Sequence, residues 1–265
     1  MSVLTLYQVD AFTDRVFGGN PAAVCVLEDW LPDSQMQAIG NENNLAETAF
    51  VVPKGEEYHI RWFTPDVEVD LCGHATLAAA YVLKNVLKVS QETLRFQTLN
   101  KGRLSVQQEG EQLFLNFPTD RIAPISPLDG AEQSLGVVPL EYWKGETDFM
   151  VVVENETAVA ALQPNMQWIQ QLGERGLIVT AAGDTVDFVS RFFAPQTGVD
   201  EDYVTGSAHT SLIPLWAPKL GKKRMKAQQI SARKGVLDCE DLGDRVRIGG
   251  HAQLYLKGEI YLPEG

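Results

Sequence analysis

Alternation of apolar and polar positions with a period of two recurs along the chain and predicts half-buried strands at residues 4–9, 59–63, 103–106 and 112–117. The same pattern marks 149–153, 176–180, 186–193, 245–248, and a closing pair at 252–256 and 259–262. Helical spacing is rarer. It predicts helices over 33–41, with Asp33 as N-cap, over 75–86, over 168–171, and over 208–215 with Pro218 as the stop. Many strands with a few apolar helices indicate an α+β architecture and not a βαβ series.

A repeat is superimposed on this pattern. RWFTP at 61–65 is followed by LCGHATL at 71–77, and RFFAP at 191–195 is followed by VTGSAHTSL at 204–212. Arg61 and Arg191 lie 130 positions apart, Gly73 and Gly206 lie 133 apart, and both offsets are near half of the 265 residues. Two copies of strand, proline turn, glycine turn and apolar helix imply two similar lobes; the period is too long for a solenoid. Prolines 118, 124 and 127 interrupt the strand pattern, which places the lobes at 1–118 and 119–265. Whether the last strands return to the first lobe is left open.

Charge narrows the partners. A formal net charge of -13 repels phosphate backbones and disfavours nucleic acid. The basic run at 219–226 has no interleaved aromatics and reads as a solvated loop or helix end. Cys25, Cys72 and Cys239 form an odd set without paired spacing, which points to a reducing compartment, with cytoplasm as the expectation. No apolar run approaches the roughly 18 residues of a membrane helix, and the N-terminus lacks the pattern of a signal peptide.

The candidate chemistry sits at the two glycine turns. Gly73 and Gly206 each open an apolar helix, and a helix N-terminus presents unpaired N–H groups and partial positive charge to an anion. The ATLAAA run at 75–80 is uniformly small and apolar, which predicts a helix buried at the centre of its lobe. If both N-termini face one cleft between the lobes, a small anionic metabolite is held there with no metal or cofactor. Glu47 is the single acid in the run at 44–52; apolar surroundings raise a carboxylate pKa toward neutrality, as a proton carrier requires, whereas a surface or capping glutamate fits the pattern equally well. Asp202 can accept hydrogen bonds from a substrate or cap a turn. His74 and His209 follow the glycine turns, and a lone histidine is more often structural than catalytic. No His, Cys, Asp and Glu set has metal-ligand spacing, and the Gly18, Gly19, Asn20, Pro21 segment lacks a nucleotide-binding pattern and reads as a turn.

Together, Asp10-Ala11-Phe12, the segment FGGNP at 17–21, NLAET at 44–48, DLCGHAT at 70–76 and EDYVTGSAH at 201–209 resemble the PhzF-like phenazine-biosynthesis isomerase family over essentially the whole chain. The resemblance implies the diaminopimelate-epimerase fold: two pseudo-symmetric lobes, each a curled, mostly antiparallel sheet around a central helix, in proteins that are commonly homodimers. It implies Glu47 as the catalytic acid/base, His74, Asp202 and Ser207 as substrate-holding groups, and Gly73 as the first helix-terminus glycine. Tyr203 stands where family members often carry proline, which puts the substrate in question more than the chemistry. Epimerase relatives use two cysteines, one before each glycine; here Cys72 holds the first position and Thr205 the second, so a symmetric two-thiol mechanism is excluded. The leading expectation is a cofactor-independent isomerase using Glu47 alone. The alternatives are a one-thiol dehydratase or epimerase using Cys72, and a non-catalytic binding protein that keeps the fold.

Overall fold

The computed structural model describes residues 2–263. Strand β1 (Ser2–Ala11) pairs antiparallel with β2 (Asn20–Val26), and helix α1 (Asp33–Asn43) carries the chain to β3 (Glu47–Lys54), parallel to β2. Strand β4 (Glu57–Phe63) returns antiparallel to β3 and forms a hairpin with β5 (Glu68–Val69). Helix α2 (Gly73–Tyr81) runs into a wider π-type turn at Val82–Val86. Then follow β6 (Thr93–Gln97), parallel to β4, β7 (Arg103–Glu109) and β8 (Gln112–Pro118), the last three mutually antiparallel in succession.

The second half starts with β9 (Ala123–Pro124), α3 (Ala131–Leu135), β10 (Glu141–Lys144) and β11 (Asp148–Val152). Short helices α4 (Glu156–Ala160) and α5 (Met166–Gln171) lead to β12 (Gly176–Ala182), parallel to β11. Strands β13 (Phe188–Ala194) and β14 (Val199–Asp202) continue antiparallel, and α6 (His209–Leu220) precedes β15 (Arg224–Gln229), parallel to β13. Strands β16 (Gly235–Asp241) and β17 (Arg245–Gly250) follow, and β18 (Ala252–Leu262) pairs antiparallel with β1. Each half therefore has the same order: an antiparallel pair, a helical crossover to a parallel strand, a return strand with a short hairpin, an apolar helix, and a strand parallel to the return strand.

Two units result, Met1–Asn116 with Gly249–Gly265, and Phe117–Ile248. The C-terminal strand belongs to the first unit because it pairs with β1, so a single cut near residue 118 does not separate them.

Within the first unit, α2 is buried from Gly73 through Ala80 and packs on β1, β2 and β3. Alanine at three successive positions keeps that helix thin enough to be covered on all sides. Met36 and Ile39 of α1 pack with Phe50, Val52 and Phe63 on another part of the core. In the second unit Val151, Val179, Val189 and Phe193 form a core with Val159 and Ile169 of the crossover helices. Burying each such side chain contributes about 1.5–3 kcal/mol.

Several local expectations are corrected. Asp33 is the first residue of α1 and not its cap; Pro32 precedes it without a side-chain cap, and Asp33 accepts from Arg61 instead, 2.8 Å away. Pro214 and Pro218 both lie inside α6, which ends at Gly221 in the left-handed conformation. Pro214 has no N–H for the carbonyl of Thr210, and that oxygen accepts from Asp120 N instead (3.2 Å). Asn20 and Pro21, read as turn, begin β2. Strands β2 and β3 escaped the period-two pattern because both their faces are buried, which removes the alternation. The basic run at 219–226 covers the end of α6 and the start of β15, where Lys219 pairs with Glu141 and Lys222 with Asp187.

Candidate active site

In the first unit three elements converge on one imidazole. Asn44 takes a left-handed conformation (φ 49°) after α1, and the chain enters β3 at Glu47, whose position opposes Ala22 of β2. Helix α2 begins at Gly73, which places His74 in its first turn, 3% exposed. Glu47 Oε2 lies 3.0 Å from His74 Nε2, with the glutamate side chain 18% exposed. The approach is not aligned along the ring N–H, and among the described residues neither atom has another hydrogen-bond partner. It is an ion-pair contact at hydrogen-bonding distance. On the opposite ring edge, Nδ1 is 3.2 Å from Asn20 Nδ2 and 3.5 Å from Cys72 Sγ. Glu47 is thus not the isolated carboxylate expected from its apolar neighbours in sequence; its defining contact is His74.

Burial disfavours charge on His74, but the neighbouring Cys72 sulfur and the Glu47 carboxylate outweigh it and push the pKa well above the ordinary value. Cys72 itself is pushed up to about 11, first by burial and then by Glu47. Its thiol therefore stays protonated near neutral pH. Glu47, Cys72 and His74 each bring one ligand-type atom within 4.8 Å of the others. Glu47 and Cys72 meet opposite nitrogens of one ring, however, so the three do not converge on a single metal position as they stand.

In the second unit the Thr205-Gly206 turn is held from several sides. Thr205 Oγ1 donates to Asp202 Oδ2 (2.5 Å), and Thr205 N–H donates to Gln229 Oε1 (2.8 Å). Gln229 Nε2 donates back to the Asp202 carbonyl at 2.8 Å. His209, fully buried, donates through Nδ1 to the Thr205 carbonyl (2.9 Å), which is a structural task. Ser207, which follows Gly206, accepts from Arg175 Nη1 at 2.8 Å. Arg175 is itself forked onto Asp148, through Nε to Oδ1 (2.9 Å) and Nη2 to Oδ2. Burial works against the guanidinium charge, but Asp148, with Asp202 and Asp120 at longer range, outweighs it and raises the Arg175 pKa. Tyr203 is 39% exposed, with the Arg233 guanidinium 5.6 Å from its ring centre.

The structure thus brings Glu47, Gly73 and His74 together in one unit and Asp202, Gly206 and Ser207 together in the other. Sequence reasoning missed Asn20 as a partner of the histidine, and Arg175, Asp148 and Gln229 altogether. No local pattern marks them, since each acts on a residue at least 24 positions away. The matched glycine turns were the one signal that led toward them.

Comparison with known proteins places the chain among similar sequences and folds. Residues 9–258 match the PhzC-PhzF family, described as phenazine biosynthesis-like protein. An uncharacterized isomerase of Pseudomonas aeruginosa is 52% identical over 98% of this chain and 99% of its own. The crystal structure of a phenazine biosynthesis PhzF-family protein from Enterococcus faecalis superposes with a TM-score of 0.95 at 48% identity, covering 98% of this chain and all of that one. A hydroxyproline epimerase from Agrobacterium vitis shares the fold, with a TM-score of 0.63 at 11% identity over 97% of this chain and 92% of its own.

Proposed function

This chain belongs to the PhzC-PhzF family of phenazine biosynthesis-like proteins, and from that premise we propose that it is an isomerase in which Glu47 moves a proton between carbons of a small carboxylate-bearing amino or hydroxy acid. The observation that carries the reading is the 3.0 Å approach of Glu47 Oε2 to the buried ring of His74. A carboxylate facing a cation in a water-poor setting can take a proton from a carbon next to an activating carboxylate or unsaturated bond, and return it at another carbon. His74 holds the carboxylate in place through the exchange. Gly73, Asp202, Gly206 and Ser207 bind polar groups of the substrate. No step calls for a group beyond these side chains.

Relatives named as isomerases support the reaction class. The raised thiol pKa of Cys72 argues against the one-thiol alternative. Three free, buried cysteines fit a reducing compartment, and we place the protein in the cytoplasm as part of the same proposal. The family resemblance further supports a homodimer.

Proton NMR of candidate metabolites in D₂O tests the reading. Glu47→Gln keeps the shape but cannot carry the proton, so solvent deuterium uptake should fall by about 10²-fold or more, while Cys72→Ser stays within a few fold of the parent. A fully active Glu47→Gln beside a dead Cys72→Ser would transfer the base role to the thiol. A parent protein showing no exchange on any amino or hydroxy acid tested would leave only a binding role.

A further inference from the structure

The two units carry the same strand-to-helix geometry with different chemistry at the matching place. In the sequence repeat Phe63 corresponds to Phe193. Phe63 pairs with Thr48 on β3, and Phe193 pairs with Leu177 on β12. Glu47 is one residue before Thr48 and Arg175 is two before Leu177, so both sit at the mouth of the equivalent strand, a residue apart in register. Across from them, His74 follows Gly73 and Ser207 follows Gly206. The first unit therefore pairs Glu47 with His74 at 3.0 Å, and the second pairs Arg175 with Ser207 at 2.8 Å. Beside the register position that Glu47 holds in the first unit, the second unit carries a cation.

The details of the second pair give it a direction. A serine hydroxyl has one proton to donate and two lone pairs to accept with. Arg175 Nη1 donates into Ser207 Oγ, which occupies an acceptor site and leaves the O–H proton to point elsewhere, toward an acceptor. The guanidinium fork is fixed by Asp148, whose side chain is 3% exposed, while that of Arg175 is 33% exposed. The anion is behind and the cation is in front. Phe192 lies against the guanidinium, 5.1 Å from ring centre to carbon, which holds its plane.

We propose that Arg175 is a positioning residue that fixes Ser207 as a hydrogen-bond donor, and that the Asp148–Arg175–Ser207 series thereby selects a substrate bearing a carboxylate rather than an uncharged amide. The inference rests on Ser207 binding substrate, as in the function proposed above, and identifies which substrate group it meets.

The test compares benzoate, a small unreactive planar carboxylate, with benzamide, its uncharged counterpart, in NMR titrations of the intact protein. Wild type should bind benzoate at least about tenfold tighter than benzamide, the scale of a charge-assisted hydrogen bond over a neutral one. Ser207→Ala and Arg175→Met should each bring that ratio to within about twofold, and the double variant should do no more than either. Arg175→Lys keeps a cation beside Asp148 and so protects the fold, yet lacks the planar fork; it should retain an intermediate ratio. General damage to the fold would weaken both probes alike and leave the ratio intact. A ratio near one in wild type overturns the proposal, as does a full ratio in Arg175→Lys and Arg175→Met, or additive losses in the double variant. None of these titrations needs turnover, so an active Glu47→Gln would refute the proton-transfer reading while leaving this measurement standing.

Discussion

At the scale of single residues, the histidines that follow the two glycine turns are shifted in opposite directions. Cys72 and Glu47 raise the pKa of His74 above the ordinary value, and His209 is held neutral by burial, which lowers its pKa to about 4. His209 Nδ1 donates to Thr205, and its Nε2 has no hydrogen-bond partner among the described residues. An unfolded histidine titrates near 6.5. Between those two values the unfolded chain takes up a proton that the folded chain refuses. The stability tied to His209 is therefore complete above about pH 6.5 and is lost as pH falls toward 4, by roughly 3 kcal/mol across that window. Urea midpoints measured from pH 7.5 down to 4 should show the decline in wild type. His209→Gln keeps a donor and cannot ionise, so its curve should fall less steeply; parallel curves for the two proteins would rule this out.

At the scale of elements, the site depends on how tightly neighbouring segments approach. Gly19 has φ 58°, and a Cβ there would stand 2.0 Å from the carbonyl oxygen of Ala11, a backbone atom with no freedom to move aside. That close approach turns the chain out of β1 and delivers Asn20 to the edge of His74. Gly19→Ala should therefore cost at least about 2 kcal/mol through the combined clash and strain, read as a lower urea midpoint. An unchanged midpoint would show that the turn can open without penalty. Helix α6 tolerates Pro214 for a related reason: the carbonyl of Thr210 has an outside donor in Asp120, which also accepts from Ser211 Oγ at 2.6 Å.

At the scale of the whole molecule, the duplication accounts for the architecture. Arg61 forks onto Glu68 with bonds of 2.7 and 2.6 Å, and Arg191 forks onto Glu201 with bonds of 2.7 and 2.8 Å. Each arginine also lies against a phenylalanine of its own strand, Phe63 or Phe193. The same planar, bidentate pair thus clamps the equivalent hairpin in both units. The proposed homodimer is a prediction at this scale: sedimentation equilibrium should return twice the 29.3 kDa chain mass, and a single-chain mass at micromolar protein would reject it.

The sequence by itself determined the α+β class, the duplication, the two glycine turns and the residues that resemble a known site, because these are recorded in local periodicity and in short ordered motifs. The strands that it hid, β2 and β3, are covered on both faces, and coverage is a property of what packs against a segment. Arg175 and Asp148 look like ordinary surface charges until β11 and β12 lie side by side in parallel register. The same holds for the charge of His74, which depends on a carboxylate 27 positions earlier in the chain. Tertiary structure decided these matters because a hydrogen bond or an ion pair acts over about 3 Å of space, whatever length of chain separates its partners.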